Sequence, residues 1–289
     1  MELDFKGKIA VITGGTAGIG LATAELLGKL GAKVAVCGTG KEKLDKAVGY
    51  LESLGIETYG EVCDVASSKA QFDLADHVEE HFKGSIDIWV SNAAIFPLYP
   101  IIDTPEEVFD QLMDINVKSV YVSGRIAYEK MKEKGGVLLI ASSIAGKLSS
   151  VGSGMYGATK AAASSMVKTL ASELAPYNIR VCGYAPGVIR TDLTVPLIEK
   201  FGDSLLGPVA LKRYGEASEV AQAIAFLASD YAGFITGTIL EIDGGKLSSQ
   251  NPIKAWKDKE EREHSYGGCR NIRNPAKDRD GRNPETVIL

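Results

Sequence analysis

The stretch Thr13-Gly-Gly-Thr-Ala-Gly-Ile-Gly20 decides the fold of this 289-residue chain. An apolar run at residues 8–13 leads into it and predicts a short buried strand. Apolar residues at helical spacing follow it, among them Leu21, Ala24 and Leu27, and predict a helix. Glycines allow close backbone approach, and a helix N-terminus presents unpaired N–H groups to an anion. The stretch therefore predicts a phosphate-binding turn between strand and helix; a tight turn without a ligand is the alternative.

Strand and helix patterns alternate from this turn onwards. The predicted strands are 8–13, 33–37, 56–63, 86–91, 136–142, 178–184 and 238–242, and the predicted helices lie near 18–30, 41–54, 67–82, 105–132, 155–175 and 218–229. Several strands are continuous apolar runs, as a parallel sheet covered on both faces requires. We therefore predict an α/β protein with a doubly wound Rossmann fold, in which helices flank a seven-stranded parallel sheet.

A tyrosine and a lysine lie one helical turn apart, at Tyr156 and Lys160. This spacing puts both side chains on one face of the predicted helix. A nearby cation lowers the pKa of a phenol, and a phenol so tuned can exchange a proton with an alcohol or carbonyl oxygen. Either hydroxyl of the preceding pair, Ser142 and Ser143, could hold the same oxygen. Taken alone, the pair is weak, because many helices contain this spacing by chance.

As a set, these motifs resemble those of the short-chain dehydrogenase/reductase family. The resemblance covers residues 5 to about 246 and rests on the glycine turn, Asp64-Val65, Ser91-Asn92-Ala93-Ala94, Asn116, Ser143, Tyr156-x-x-x-Lys160, Pro186 to Thr191 and Asp243-Gly244-Gly245. Ser91 and Ala94 stand where the family usually has a second Asn and a final Gly. The resemblance implies one catalytic domain over residues 1–246. For residues 247–289, a polar composition favours an extension that is flexible or packed on a neighbouring subunit.

The resemblance implies hydride transfer between a nicotinamide dinucleotide and an alcohol or ketone. Tyr156 would be the general acid/base, and Lys160 would lower its pKa and bind the nicotinamide ribose. The family's spacing selects Ser143, rather than Ser142, to orient the substrate oxygen. Asn116 would support a water that connects Lys160 to solvent, or would satisfy a break in the long helix.

Most of the implied cofactor-binding residues directly follow predicted strands. They are Gly14, Thr16, Gly18, Ile19, Gly20, Thr39, Asp64, Val65, Asn92, Ala93, Tyr156, Lys160, Pro186, Gly187, Ile189 and Thr191. Asp64 would accept a hydrogen bond from the adenine, or would form an Asx turn. Gly38 stands where many NAD-dependent members carry Asp, so no carboxylate repels a 2′-phosphate, which Thr39 and Lys41 could bind. We therefore expect NADP, with NAD as the alternative.

Apolar segments near the predicted site indicate the kind of substrate. They are residues 95–99 with Phe96, then Leu148, Val151 and Met155, and a lid-like segment at 193–211. Phe96, Ser143 and Tyr156 are the predicted substrate contacts. This lining predicts an apolar or cyclic, sterol-like secondary alcohol or ketone. A 3-oxoacyl-acyl-carrier-protein reductase and a sugar or polyol dehydrogenase are the enzyme alternatives, and a dinucleotide-binding sensor or interaction protein is the non-enzyme alternative.

Bulk properties favour a cytoplasmic protein with small-molecule partners. A net charge of −5 argues against nucleic-acid binding. We expect no membrane partner, since no apolar run is long enough for a span. Four cysteines are scattered along the chain, which favours free thiols. His77 and His81 have no evident third ligand, so no metal site is expected. The family resemblance implies a homotetramer, or a homodimer.

Overall fold

The strands form one large parallel sheet and one small one. A computed structural model describes residues 3–248 and 252–266. The strands are β1 (Ile9–Thr13), β2 (Lys33–Gly38), β3 (Thr58–Val62), β4 (Ile88–Ser91), β5 (Gly136–Ala141), β6 (Ile179–Pro186), β7 (Ile189–Arg190), β8 (Gly215–Glu216) and β9 (Ile239–Ile242). Seven of them pair in the order β3-β2-β1-β4-β5-β6-β9, all parallel, whereas β7 and β8 pair only with each other. The predicted seven-stranded parallel sheet is confirmed.

The helices largely follow the predicted pattern. They are α1 (Gly18–Lys29), α2 (Lys41–Ser53), α3 (Ser68–Phe82), α4 (Glu106–Met113), α5 (Ser119–Met131), α6 (Gly154–Leu174), α7 (Val195–Phe201), α8 (Ala217–Ala228) and α9 (Pro252–Tyr266). The single helix predicted at 105–132 is instead two helices, joined by a π-helical turn at Asp114–Lys118. The short helix α7 and helix α9 were not predicted.

The chain divides into two units, residues 1–250 and 251–289. In the second unit, the structure describes helix α9, and residues 267–289 lie outside the described part. That the extension is flexible or packs on a neighbouring subunit stays a prediction.

Both faces of the large sheet are buried beneath helices. On β1, Ala10 and Ile12 pack in one apolar cluster with residues of α1, α2 and α8. Ile9 and Val11 pack in the opposite cluster with residues of α3, α5 and α6. Burying one such valine or isoleucine side chain contributes roughly 1.5–3 kcal/mol. Alternate side chains therefore serve opposite faces, which explains why the strand is apolar from Ile9 to Ile12.

The order of the strands places the site. Strand β1 pairs with β2 on one side and with β4 on the other, so the connections diverge between β1 and β4. In open α/β sheets, ligands bind at such a point, beyond the carboxyl ends of the strands. Gly14 follows β1 and Asn92 follows β4, while Ser143 and Gly187 follow β5 and β6. Four separate parts of the chain therefore meet at one edge of the sheet.

Across residues 3–248 and 252–266, no helix is both long and apolar enough to cross a membrane. The same residues contain no group of three or more His, Cys, Asp or Glu side chains that could hold a metal ion. The ring of His77 contacts Glu61, with 2.9 Å between Nδ1 and Oε2. The described cysteines Cys37, Cys63 and Cys182 are buried free thiols.

Candidate functional site

The glycine turn has the geometry of an anion cradle. Helix α1 begins at Gly18, and its N-cap residue, Ala17, makes no side-chain capping bond, so the first N–H groups remain available. Gly14 has a φ of +64°, a conformation that glycine adopts readily. At Gly20, a Cβ would lie 2.2 Å from the carbonyl oxygen of Gly14. The turn can therefore close only with these glycines.

A hydrogen-bonded network ties the turn to two other strands. Thr13 Oγ1 accepts bonds from the backbone N–H groups of Asn92 (3.0 Å) and Ala93 (3.1 Å). Asn92 Nδ2 donates to the carbonyl oxygens of Thr13 (3.0 Å) and Gly14 (3.2 Å). The hydroxyl of buried Tyr184, in β6, donates to Asn92 Oδ1 at 3.1 Å. The network fixes the carboxyl ends of β1, β4 and β6 together and forms a firm floor.

A cleft of about 460 Å³ opens above this floor. Among the predicted cofactor residues, those that line it are Gly14, Thr16, Gly18, Ile19, Asn92, Ala93, Tyr156, Lys160, Pro186, Gly187, Ile189 and Thr191. Lys43, Ala94, Tyr184 and residues 192–194 also line it and were not among the predicted cofactor residues. An uncapped helix N-terminus, a glycine turn and a cleft beside them fit a dinucleotide.

Four predicted cofactor residues do not line the cleft. Gly20 lies under the turn, where it allows the close approach described above. Thr39 is exposed, just before α2 begins. Asp64 is exposed, and its Oδ1 accepts a bond from the N–H of Ala66 at 3.0 Å, which is the Asx turn expected as the alternative. Val65 is buried and packs below the surface. Their contact with a cofactor stays a prediction.

The structure brings Ser143, Tyr156 and Lys160 together. Ser143 follows β5, and its side chain is the hydrogen-bonding partner of the partly buried Tyr156 hydroxyl. One helical turn along α6, buried Lys160 donates from Nζ to the carbonyl oxygen of Ala141 at 2.9 Å. Its Nζ lies 5.7 Å from the centroid of the Tyr156 ring. The predicted phenol, hydroxyl and ammonium therefore share one corner of the cleft.

The expected lowering of the Tyr156 pKa is not what the structure shows. Burial raises the pKa of the Tyr156 phenol to about 12, and the bond with Ser143 only opposes that rise. Burial also lowers the pKa of the Lys160 ammonium to about 8. The reason is that both groups lose water, which disfavours the charged form of each. At neutral pH the phenol is therefore protonated, ready to donate.

Asn116 lies in the π-turn between α4 and α5 and is buried. Its Oδ1 accepts from the N–H of Ile95 at 2.9 Å, and its Nδ2 donates to the carbonyl oxygen of Ile95 at 3.0 Å. Nδ2 also donates to Thr159 Oγ1 at 3.2 Å. Asn116 does not line the cleft, so the structure supports its expected role in the helix break. Its link to Lys160 through a water stays a prediction.

An apolar cavity of about 550 Å³ adjoins the cleft. Ser143 and Tyr156 line both spaces. The ring of Phe96 packs edge-on against Tyr156, with 4.5 Å between centroids. The predicted apolar residues that line the cavity are Phe96, Leu98, Leu148, Val151, Leu193, Leu197, Phe201 and Leu205. Met155, also predicted, is not part of the lining.

Comparison with known proteins agrees with this site. A family model described as enoyl-(acyl carrier protein) reductase matches residues 14–246. Tropinone reductase-like 3 of Erythroxylum coca is 40% identical over 247 residues, covering 84% of this chain and 95% of that protein. The 3alpha-hydroxysteroid dehydrogenase of Mediterraneibacter gnavus is 36% identical over 257 residues, covering 86% and 100%.

A solved structure extends the likeness to three dimensions. A short-chain type dehydrogenase/reductase from Mycobacterium marinum superposes with a TM-score of 0.81 at 31% identity, covering 84% of this chain and 96% of that one. The sequence match and the shared fold thus span the same region as the glycine turn, the cleft and the tyrosine–lysine pair. The chain belongs to the short-chain dehydrogenase/reductase family of oxidoreductases, whose members generally use NAD or NADP.

Proposed function

We propose that the protein interconverts a secondary alcohol and a ketone, on an apolar or cyclic substrate, by hydride transfer with NADP. The observation that carries this proposal is that Ser143 and Tyr156 line both the cleft and the apolar cavity. A substrate carbonyl group in the cavity would therefore lie within reach of both hydroxyls, next to a nicotinamide ring bound in the cleft. Two relatives named for tropinone and for a hydroxysteroid support a cyclic substrate.

The chain's residues would manage the proton and the substrate oxygen. When bound, the nicotinamide supplies hydride in reduction and accepts it in oxidation. The Tyr156 hydroxyl donates its proton to the ketone oxygen in reduction and takes one from the alcohol in oxidation. The Ser143 hydroxyl holds the same oxygen, and the Lys160 ammonium stabilises the phenolate left by proton donation. Because burial raises the pKa of Tyr156 to about 12, the phenol carries near neutral pH the proton that ketone reduction requires.

Two features support NADP as the cofactor. Gly38 faces Thr16, and a Cβ at position 38 would lie 2.9 Å from Thr16 Cγ2, so an acidic side chain has no ready space there. Lys43 lines the cleft and makes no ion pair with any described residue, whereas Lys41 pairs with Asp45 at 2.5 Å. A 2′-phosphate would therefore meet a cation and no carboxylate from these residues.

We also propose a homotetramer. Helices α4 and α5 expose the large side chains of Phe109, Met113, Tyr121 and Tyr128. Exposed apolar surface of this kind often marks a protein–protein contact. Burial of these side chains between subunits would remove them from water. Light scattering on the full chain tests this: a monomer at micromolar concentration would contradict it.

Replacement of Tyr156 by phenylalanine tests the proposed chemistry. Tyr156→Phe keeps the ring that packs on Phe96 and removes the proton. Ketone reduction should fall about 10³-fold while NADPH still binds, as followed by the fluorescence of the bound nucleotide. Tyr50→Phe, at an exposed tyrosine bonded to Glu25, is the control and should keep full activity.

An active Tyr156→Phe variant would contradict the assigned chemistry. A wild-type protein that binds NADPH but converts none of a broad panel of ketones and alcohols would instead favour the sensor alternative. Activity restricted to acyl thioesters would favour the 3-oxoacyl reductase, and activity restricted to sugars would favour the polyol dehydrogenase.

A further inference from the structure

Two lysines and no described acidic residue line the apolar cavity. Apart from Tyr156, the ionisable side chains that line it are Lys200 and Lys246, and no described Asp or Glu contributes to its wall. The protein as a whole carries a net charge of −5, so this local excess of positive charge runs against its average. A ligand that fits this cavity should therefore match both its apolar walls and its two lysine side chains.

Neither ammonium is neutralised by a described carboxylate. Lys246 is partly buried, and burial lowers its pKa. Asp243 favours the charged form of Lys246 but makes no ion pair with it. Instead, the carboxylate of Asp243 accepts bonds from the N–H groups of Gly245 and Leu247, both at 2.8 Å. A cation that has lost water and gained no ion-pair partner leaves interaction energy available to an anion.

Lys200 lies in the last turn of α7, on the lid-like segment. Its Nζ lies 5.3 Å from the centroid of the Phe201 ring, which also lines the cavity. The acidic residues nearest to it in sequence, Glu199 and Asp203, make no ion pair with it. Lys200 can therefore turn to a ligand without first breaking a salt bridge.

We propose that the substrate is an apolar ketone or alcohol that bears a carboxylate remote from its reacting carbon, and that Lys200 and Lys246 bind this carboxylate. The inference rests on the proposed function, because Ser143 and Tyr156 fix the reacting end. The apolar walls take the body of the molecule, and the two ammonium groups recognise its far end by charge-assisted bonds. A neutral ligand would leave both cations without a partner.

A pair of ketones that differ only in charge tests this. The probes are 4-(4-oxocyclohexyl)benzoate and its methyl ester, which share the same ring ketone. For the wild-type enzyme, we expect kcat/KM for the acid to exceed that for the ester about 10-fold, mostly through a lower KM. This ratio should fall at high salt, because the recognising charges are partly exposed.

Substitution then locates the effect. In Lys200→Gln/Lys246→Gln, the ratio of acid to ester should fall to about one, and each single variant should lose part of it. Lys168→Gln, on the exposed face of α6, is the matched control and should keep the wild-type ratio. A double variant that still prefers the acid would overturn the assignment of these lysines.

Binding measurements separate this inference from the proposed reaction. Calorimetric titration of the Tyr156→Phe variant with each probe, in the presence of NADPH, needs no turnover. Tighter binding of the acid, lost in the added double substitution, would support the inference even if neither ketone were reduced. Reduction of the ester with no preference for the acid would overturn the inference and leave the oxidoreductase proposal intact. Equal or absent binding of both probes would also overturn it.

Discussion

Ser142 and Ser143 are adjacent in the chain, yet their hydroxyls bond to different residues of the same helix. Ser142 Oγ lies 2.6 Å from Ser164 Oγ and donates to the carbonyl oxygen of Lys160 at 3.2 Å, whereas Ser143 partners Tyr156. Ser142 is buried and lines only the cleft, whereas Ser143 lines both the cleft and the cavity. The structure thus distinguishes two hydroxyls that chemistry alone could not.

Ser143→Ala should lower kcat/KM for a ketone about 10²-fold, because the substrate oxygen loses one of its two donors. Ser142→Ala is the control: it should leave kcat/KM within about threefold of wild type and lower the free energy of unfolding by about 1 kcal/mol. Steady-state kinetics and urea unfolding measure the two effects. A larger loss of activity in Ser142→Ala than in Ser143→Ala would contradict the assignment.

Lys43→Gln should weaken the binding of NADPH about 10-fold and leave that of NADH nearly unchanged, since only NADPH has the 2′-phosphate. Lys41→Gln removes a lysine of the same helix turn whose ammonium already pairs with Asp45, so it should change neither affinity appreciably. Fluorescence titration with both nucleotides measures this. Equal weakening of NADPH and NADH in Lys43→Gln would show that Lys43 does not read the phosphate.

Lys160→Met should alter the pH dependence of stability as well as abolish activity. The pKa of the buried ammonium is about 8 in the folded protein, below its usual 10.5, so the unfolded chain binds more protons between these values. Stability conferred by this group therefore rises with pH. The wild-type free energy of unfolding, taken relative to Lys160→Met, should increase by about 2.5 kcal/mol between pH 7 and pH 10.

Urea unfolding without nucleotide, at fixed protein concentration, measures this difference. Lys168→Met, at an exposed position, should run parallel to the wild type. Parallel curves for Lys160→Met and the wild type would mean that the ammonium is not desolvated as the structure indicates.

Gly20→Ala should damage both fold and cofactor binding. The new Cβ would lie 2.2 Å from the Gly14 carbonyl oxygen and 2.7 Å from Asn92 Nδ2, so the turn must open. We expect a loss of about 1–3 kcal/mol in stability and weaker NADPH binding. Gly49→Ala in α2 meets no atom within 4 Å and should instead stabilise the protein by about 0.5–1 kcal/mol. Thermal unfolding compares them; a harmless Gly20→Ala would rule out the close approach.

Much of the fold follows from pattern alone. Strand β1 is apolar from Ile9 to Ile12 because it is covered on both faces, and apolar runs that end at glycine turns leave few alternative arrangements of the strands. The break near Asn116 was harder to predict, because the helical sequence pattern continues on either side of it. Only the hydrogen bonds between Asn116 and Ile95 show why the helix changes there.

The rest of the site depends on contacts that sequence does not record. Lys41, Lys43 and Lys46 look alike in the chain, but Lys41 and Lys46 pair with acids one turn away and Lys43 does not. In the sequence, Tyr184 looks like an ordinary core residue of a strand. Its hydrogen bond to Asn92 cannot be predicted from the sequence because it joins segments that are far apart in the chain. The pKa of Tyr156 was expected to fall because spacing shows a neighbouring cation and does not show the loss of water.

Strands β1, β4 and β6 are fastened together beneath the dinucleotide cleft, while the segment 193–205 supplies Leu197, Lys200, Phe201 and Leu205 to the wall of the adjoining cavity alone. Under the proposed function, these four side chains would contact the substrate without contacting the cofactor. Exchange of the 193–205 segment between homologues should therefore change which ketones are accepted while the catalytic residues stay the same. Evolution and protein engineering could both use such an exchange.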